Sequence, residues 1–294
     1  MKKIIFKKGK LNQWKPFYKK KITIWTAGYN NFLKSKLIYD VVKSFSDITI
    51  KECKKILSIL DNHFGIIIIS PKWCYAAVDY SRGYPIFWKK NPNILMLSSQ
   101  ANLLKNHHLD LNQIIAFRMS GFTINNGTLW KNIYGLNAGQ FLFFNFSDRF
   151  FVRNYFQYIP YQDKKYSYTN YKKKLKNQID NLIKHIINKA KGKTIIIPLS
   201  AGLDSRLIAS GLRQFKYNNV KCFSYGIKNN YEALASKKIS RKLGYKWTFV
   251  NITHALAKQF YKSNNYKNYL KNSVDGAATS TIQGLFAIDY LVNY

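Results

Sequence analysis

Carboxylates are the scarcest feature of this chain. Asp and Glu total 13 against 48 Lys and Arg, a formal charge of +35 over 294 residues. Cysteine is nearly absent too. Cys53, Cys74 and Cys222 are odd in number, form no CxxC pair and have no Cys/His spacing suited to zinc. A disulfide framework and a structural zinc site are therefore excluded, and reduced thiols acting as small buried hydrophobes are expected. No run of about 20 apolar residues exists, so no membrane span is expected. The first ten residues, Met-Lys-Lys-Ile-Ile-Phe-Lys-Lys-Gly-Lys, start basic but lack an apolar core of signal-peptide length. These absences together point to a soluble, cytoplasmic protein. There is no internal repeat and no low-complexity linker.

The positive charge has two readings. An anionic partner such as nucleic acid would use it. However, Lys, Asn, Ile and Tyr are abundant together, as an A/T-rich coding sequence produces, and the basic residues are scattered. The densest cluster, Lys172-Lys173-Lys174, sits where a solvated helix face is expected. Compositional drift is the first reading, and a nucleic-acid partner is disfavoured without being excluded.

Hydrophobic residues make up 47% of the chain, enough for a core in each of two domains. Residues 1–160 read as β-rich. Ile22 to Trp25, Phe64 to Ser70, Trp73 to Asp79, Ile94 to Ser98 and Gln140 to Phe144 have strand patterns. The second and third are joined by a Ser-Pro-Lys turn. Short helices are predicted near Leu37 to Val42 and Leu111 to Arg118.

The pattern changes between Asp148 and Tyr168, where the domain boundary is expected. Tyr168 to Lys191 is helical, with Leu175, Ile179, Leu182, Ile183, Ile186 and Ile187 forming one apolar stripe read as core packing. A β-α-β-α-β alternation follows. Thr194 to Leu199 is a continuous apolar run of the kind buried parallel strands require. Ser205 to Arg213 is a helix, Asn219 to Tyr225 a strand, Tyr231 to Leu243 a helix and Trp247 to Ile252 a strand. This is a doubly wound α/β pattern over residues 161–294.

Between the first of these strands and its helix lies Leu199-Ser200-Ala201-Gly202-Leu203-Asp204-Ser205. Small residues at 200 to 202 let the backbone turn tightly and come close to an anion. Successive backbone N–H groups and the positive end of the helix then face that anion. Ser200 and Ser205 can donate hydroxyl hydrogen bonds. Asp204 repels phosphate directly, and its natural role is to hold Mg2+ that neutralises the phosphates.

This stretch resembles the S-G-G-x-D-S loop of the PP-loop ATP pyrophosphatases (adenine nucleotide alpha hydrolase-like), with Ala201 where the first Gly is usual. Phe223-Ser224-Tyr225-Gly226, then Glu232, Ala235, Ile239, Leu243, Gly244 and Trp247, resemble the pattern of the asparagine synthetase family. In that family the strand end lies beside the adenine, which implies that Leu199, Tyr225 and Gly226 contact the nucleoside. Asp79 to Trp88 is similar to the D-R-x-G-x-x-P-L-Y-Y stretch of class II glutaminase domains, and Leu97 to Leu104 to their S-S-E-x-K-x-L segment. Gly127 to Trp130 and Gly135 to Gln140 resemble their T-L-F, G-I and L-x-P-G segment. The resemblance covers most of the chain. It implies an N-terminal Ntn-like α+β sandwich, a C-terminal PP-loop domain, ATP and Mg2+. The implied activity is amide formation from a small-molecule carboxylate, activated as an acyl-adenylate, and an amine or ammonia.

Two departures shape the expectation. A class II glutaminase uses an N-terminal Cys whose α-amine serves as base, whereas residue 2 here is Lys. The family also has a later G-D-E motif, and no Gly-Asp-Glu occurs before Tyr294; Asp275-Gly276-Ala277-Ala278-Thr279-Ser280 resembles a stretch just ahead of it. A partial synthetase domain is therefore expected, from a truncated reading frame or as half of a split enzyme with a separate C-terminal half. The alternatives are a tRNA-modifying PP-loop enzyme, suggested by the charge, and a non-catalytic ATP-binding remnant. His107, His108 and His254 receive no role. Incubated with glutamine, the chain is expected to release no glutamate; measurable turnover would overturn that reading.

Overall fold

The computed structural model describes residues 3–9, 14–28, 31–45, 49–60, 63–147, 149–161, 167–273, 275–278 and 282–293. Lys2, Asp148, Thr279, Ser280 and Tyr294, named above, lie outside them. The chain forms two compact units, Met1–Ile159 with Asn268–Ser280, and Pro160–Lys267 with Thr281–Tyr294.

The first unit contains β1 (Lys3–Lys7), β2 (Lys15–Lys19), β3 (Ile22–Ala27), α1 (Ser35–Val42), α2 (Ile50–Ile59), β4 (Gly65–Ile69) and β5 (Trp73–Val78). It continues with β6 (Phe87–Asn91), β7 (Ile94–Ser98), α3 (Leu111–Ser120), β8 (Tyr134–Gly135), β9 (Gln140–Asn145) and β10 (Phe150–Asn154). One sheet has the order β10-β9-β5-β4-β3-β2 and is antiparallel throughout; the other has the order β1-β7-β6-β8, with β1 parallel to β7. The period of two along β4 and β5 explains the layering. Ile66, Ile68, Tyr75 and Ala77 pack against Ile38, Val42, Cys53 and Ile56 of the helices. Ile67, Cys74, Ala76 and Val78 face the other way, toward Leu95 and Leu97 of β7. Both faces of β4 and β5 are thus covered, and the unit is an α+β sandwich.

Asp275 to Ala278 is stitched into this unit. Ala101, Leu129 and Thr123 donate their N–H groups to the carbonyls of Asp275, Gly276 and Ala277 at 2.9, 3.0 and 2.9 Å. Gly276 has φ +87, and a Cβ there would meet the Trp130 ring at 2.2 Å, so only glycine fits.

The second unit contains α4 (Tyr168–Ala190), β11 (Ile195–Pro198), α5 (Leu203–Gln214), β12 (Val220–Gly226), α6 (Tyr231–Leu243), β13 (Lys246–Asn251) and α7 (His254–Lys262). α8 (Asn264–Ser273) follows, leading out of this unit, and α9 (Ile282–Asn293) lies back within it. The sheet is parallel with the order β11-β12-β13. The described strands run in one direction of winding; the reversal of order that makes a sheet doubly wound is not among them. One face carries Ile197, Leu199, Val220 and Cys222 against Ile183, Ala209 and Leu212 of the helices. On the other face Phe223 and Val250 pack against Ala287 of α9.

Two expectations from the sequence are corrected here. The first parallel strand is not buried on both sides, because Ile196 is 62% exposed on the face of β11 that no described residue covers. The apolar stripe of α4 is narrower than its spacing implies. Ile183 is buried and Ile179, Ile186 and Ile187 pack beside it, whereas Leu175 and Leu182 are exposed. No described helix is long and apolar enough to cross a membrane.

All three thiols are buried. Desolvation pushes the Cys53 thiol from 9.0 to about 11, against the opposing effect of its hydrogen bond with Tyr75 Oη at 2.9 Å, and raises Cys74 and Cys222 as well. With pKa values above those of the unfolded chain, the folded thiols stay protonated and inaccessible near neutrality. An aromatic disulfide reagent at about pH 8 is expected to titrate none in the native chain and all three in denaturant. A native-state reaction at any of them would contradict this burial.

Candidate nucleotide-binding cleft

The second unit has a cleft of about 730 Å3 outside the carboxyl ends of its three parallel strands. It is lined by Pro198, Leu199 and Ser200 after β11, by Phe223 to Ile227 at the end of β12, and by Ile252 to His254 after β13. Asn230, Tyr231 and Glu232 at the start of α6, with Ala257 and Tyr261 of α7, complete the wall. Chain direction places it there: parallel strands bring all their carboxyl ends to one edge, where the loops diverge and leave a crevice. The volume falls in the range of small-molecule sites.

The loop from Leu199 is held from both sides. Leu199 donates its N–H to the Phe223 carbonyl at 2.8 Å, and its own carbonyl accepts the hydroxyl of Ser224 at 2.7 Å and shares that of Ser236, also at 2.7 Å, with the Glu232 carbonyl at 2.6 Å. Ser200 N–H donates to Ser205 Oγ at 3.1 Å, the two hydroxyls lie 3.2 Å apart, and Gly202 N–H donates to Ser200 Oγ at 3.1 Å. Gly202 is the residue before α5, with φ −68 and ψ 166, a conformation open to any residue. A Cβ there would stand 3.2 Å from Ser200 Oγ, so glycine serves close approach rather than an unusual φ. Ala201 lies outside the positive-φ residues of the described chain, so its methyl is accommodated.

The start of α5 differs chemically from that of several other helices. Thr49, Asp110, Asn230 and Thr253 cap α2, α3, α6 and α7 with side-chain oxygens, whereas α5, like α1 and α4, has no side-chain cap; α5 alone of these three begins directly after the loop that continues from the cleft wall. The first-turn N–H groups of a helix have no intrahelical acceptor and carry its positive end. Leu203, Asp204 and Ser205 supply them here. Leu203 is 76% exposed and Asp204 is exposed in that first turn. Arg206 Nε donates to the Gly202 carbonyl at 3.0 Å, fixing the loop from the helix side.

The residues singled out from the sequence therefore separate into two groups. Leu199, Ser200, Tyr225 and Gly226 line the cleft; Ala201, Gly202, Leu203, Asp204 and Ser205 form the loop and helix start that continue from its wall. Tyr225 stacks on Phe223 with ring centroids 6.3 Å apart, giving the wall an aromatic strip. Sequence reading passed over the support: Ser224 and Ser236 on the Leu199 carbonyl, Arg206 on Gly202, and Asn230. Asn230 both caps α6 and donates to the Ile227 carbonyl at 2.7 Å. An Asn directly before a helical pattern is a recognisable cap signal. The serines have no comparable signal, because their acceptor is 25 and 37 residues away.

No group of three His, Cys, Asp or Glu side chains able to hold a metal occurs among the described residues. In the first unit, Asp79 is buried. Its carboxylate accepts from Phe64 N, Ser81 N, Ser81 Oγ and Gly83 N at 3.0, 2.7, 2.7 and 3.1 Å, so its work there is to hold a turn.

Gly226 ends β12 with φ +132, and a Cβ would come within 3.0 Å of Asn230 Nδ2. Gly226→Ala is expected to lower the unfolding free energy by about 1–3 kcal/mol through backbone strain. Denaturant unfolding checks this, and an unchanged midpoint would show that the strand end does not need glycine.

No protein-family profile and no curated protein matches the chain. Among solved structures it is similar to the NH3-dependent NAD synthetase from Campylobacter jejuni in complex with nitrate, at 16% identity over 41% of this chain and 48% of that one, with a TM-score of 0.29. It is also similar to the glutamine phosphoribosylpyrophosphate amidotransferase from B. subtilis complexed with ADP and GMP, at 12% identity over 82% and 51% with a TM-score of 0.27. A structure titled as the allosteric regulatory enzyme of purine biosynthesis gives 14% over 83% and 51%, with a TM-score of 0.29. The chain spans about half the length of each. Likeness at these values assigns neither a family nor an activity.

Proposed function

We propose that the second unit binds Mg-ATP in this cleft and that the protein is an ATP-dependent, amide-forming ligase of the asparagine synthetase type. The observation that carries the reading is the uncapped start of α5, which continues from a cleft wall at the carboxyl edge of a parallel sheet. The sequence supports it through the likeness of Ser200 to Ser205 to a pyrophosphate-binding loop.

The residues fit a nucleoside triphosphate. The free first-turn N–H groups of α5 and the Ser200 and Ser205 hydroxyls offer donors to phosphate oxygens. Gly202 leaves room for a phosphate to approach the backbone. Phe223 and Tyr225 offer an aromatic wall to the base, with Gly226 beside them. Mg2+ fits only as a metal arriving with the nucleotide. Asp204 would supply one carboxylate to the ion, which would otherwise be held by phosphate oxygens and water.

The chemistry supplied by ATP is activation of a carboxylate. A carboxylate oxygen bonds to the α-phosphorus, pyrophosphate leaves, and an amine or ammonia then displaces AMP from the acyl carbon. The chain contributes by positioning and by neutralising charge on the departing pyrophosphate, both of which act in the transition state. The first unit serves in this reading as a glutaminase-like scaffold.

Calorimetry with Mg-ATP tests the proposal. The parent is expected to bind. Gly202→Val, which drives a branched side chain onto Ser200 Oγ, and Asp204→Ala are expected to weaken binding by about tenfold or more, the scale of one lost charge-assisted contact. Failure of the parent to bind, or equal binding by both variants, would remove the assignment.

A further inference from the structure

The first three turns of α4 are the least packed regular structure in the second unit. Every residue from Tyr168 to Gln178 is exposed, and the helix packs into the described core through Ile179, Ile183, Ile186 and Ile187 further along. Helical turns without tertiary packing are marginal in water, so this segment gains little from the core of its own unit. Its chemistry is one-sided. The helix has six lysines and one aspartate, and four of the lysines, Lys172, Lys173, Lys174 and Lys176, fall within five positions. The aspartate, Asp180, pairs with Lys176 at 2.8 Å. Lys172 to Lys174 make no ion pair with any described carboxylate.

The turns also carry aromatic rings set among those ammonium groups. Tyr168 is 66% exposed and Tyr171 36% exposed. Lys172 Nζ lies 5.9 Å from the Tyr168 centroid and Lys174 Nζ 5.4 Å from that of Tyr171. Spacings of three and four residues put each ring in line with a lysine on the helix surface. A solvated helix face accounts for the lysines without calling for an exposed ring such as Tyr168 among them. An anionic membrane surface would call for a continuous aliphatic face, and Leu175 is the sole aliphatic residue from 168 to 178. A single-stranded nucleic acid matches both features, because its phosphates meet the ammonium groups while unstacked bases lie on the rings.

We infer that the Tyr168–Lys176 face of α4 is a docking surface for single-stranded nucleic acid, separate from the nucleotide cleft. The partner is recognised by backbone charge and base stacking, without sequence reading. This goes beyond the ligase reading and does not depend on it.

The test is fluorescence anisotropy of the full chain with a labelled oligouridylate of about 15 nucleotides over a series of salt concentrations. The triple variant K172Q/K173Q/K174Q is expected to bind at least tenfold more weakly. It should also reduce the slope of log K against log salt by about 2, from three contacts at about 0.7 each. Tyr168→Ala, at an exposed position, is expected to keep the native circular dichroism and lose about fivefold or more in affinity with the salt slope unchanged, as loss of one stacked base requires. Three results would overturn the inference. Binding by the triple variant equal to that of the parent would mean diffuse attraction by the whole +35 chain. Loss in the lysine variant alone, with Tyr168→Ala unchanged, would mean a polyanion site without stacking. Binding to phosphatidylserine vesicles in place of the oligonucleotide would assign the face to a membrane.

Discussion

The geometry of the cleft depends on one carbonyl. Leu199 is the last buried residue before the chain leaves the sheet, and its oxygen accepts hydroxyls from β12 and α6 together. A buried carbonyl without donors would be costly, and each hydrogen bond made contributes about 1 kcal/mol. Here the two bonds join a strand end, its neighbour and the following helix at one atom. Trp247 Nε1 also donates to Ser224 Oγ at 3.1 Å, which brings the third strand into the same network. With that point fixed, Ser200 and Gly202 leave in a set direction and α5 starts where its free N–H groups can be used.

Local order was largely legible in the sequence, and long-range order was not. Tyr231 to Leu243 is read to the residue because its signals are local: Asn230 caps it and Gly244 ends it with φ +71. The β4–β5 hairpin is legible for the same reason, as two apolar runs around Ser70-Pro71-Lys72. α2 passes unread although Thr49 and Glu52 form a capping box, a signal that was there to be used. β1 could not be read, because its partner is β7, about 90 residues on, and the ladder it completes is parallel. The loop residues of the candidate site stand out because small residues between a strand and a helix are conspicuous. The serines that hold them stand out only once the fold brings them together.

Burial and charge divide the second unit. One face of its sheet is closed by helices, while on the other α9 covers Phe223 and Val250 and leaves Ile196 open. α4 shows the same division along its length, with packed isoleucines toward one end and a cluster of four exposed lysines toward the other. The spacing of Leu175 and Leu182 suggests a longer buried stripe than exists, because periodicity reports which residues share a face and not whether a neighbour is present to cover it.

The segment Asp275 to Ala278 bears on how such a chain can be inherited. Its carbonyls satisfy the N–H groups of Ala101, Thr123 and Leu129, and Gly276 fits beneath Trp130. The first unit is therefore encoded in two pieces, with most of the second written between them. Recombination at a single junction near residue 160 would exchange the sandwich but leave its last strip behind, facing a foreign Trp130 pocket. Exchange that preserves both units needs two crossovers or a matching strip, so the two parts are bound to evolve together.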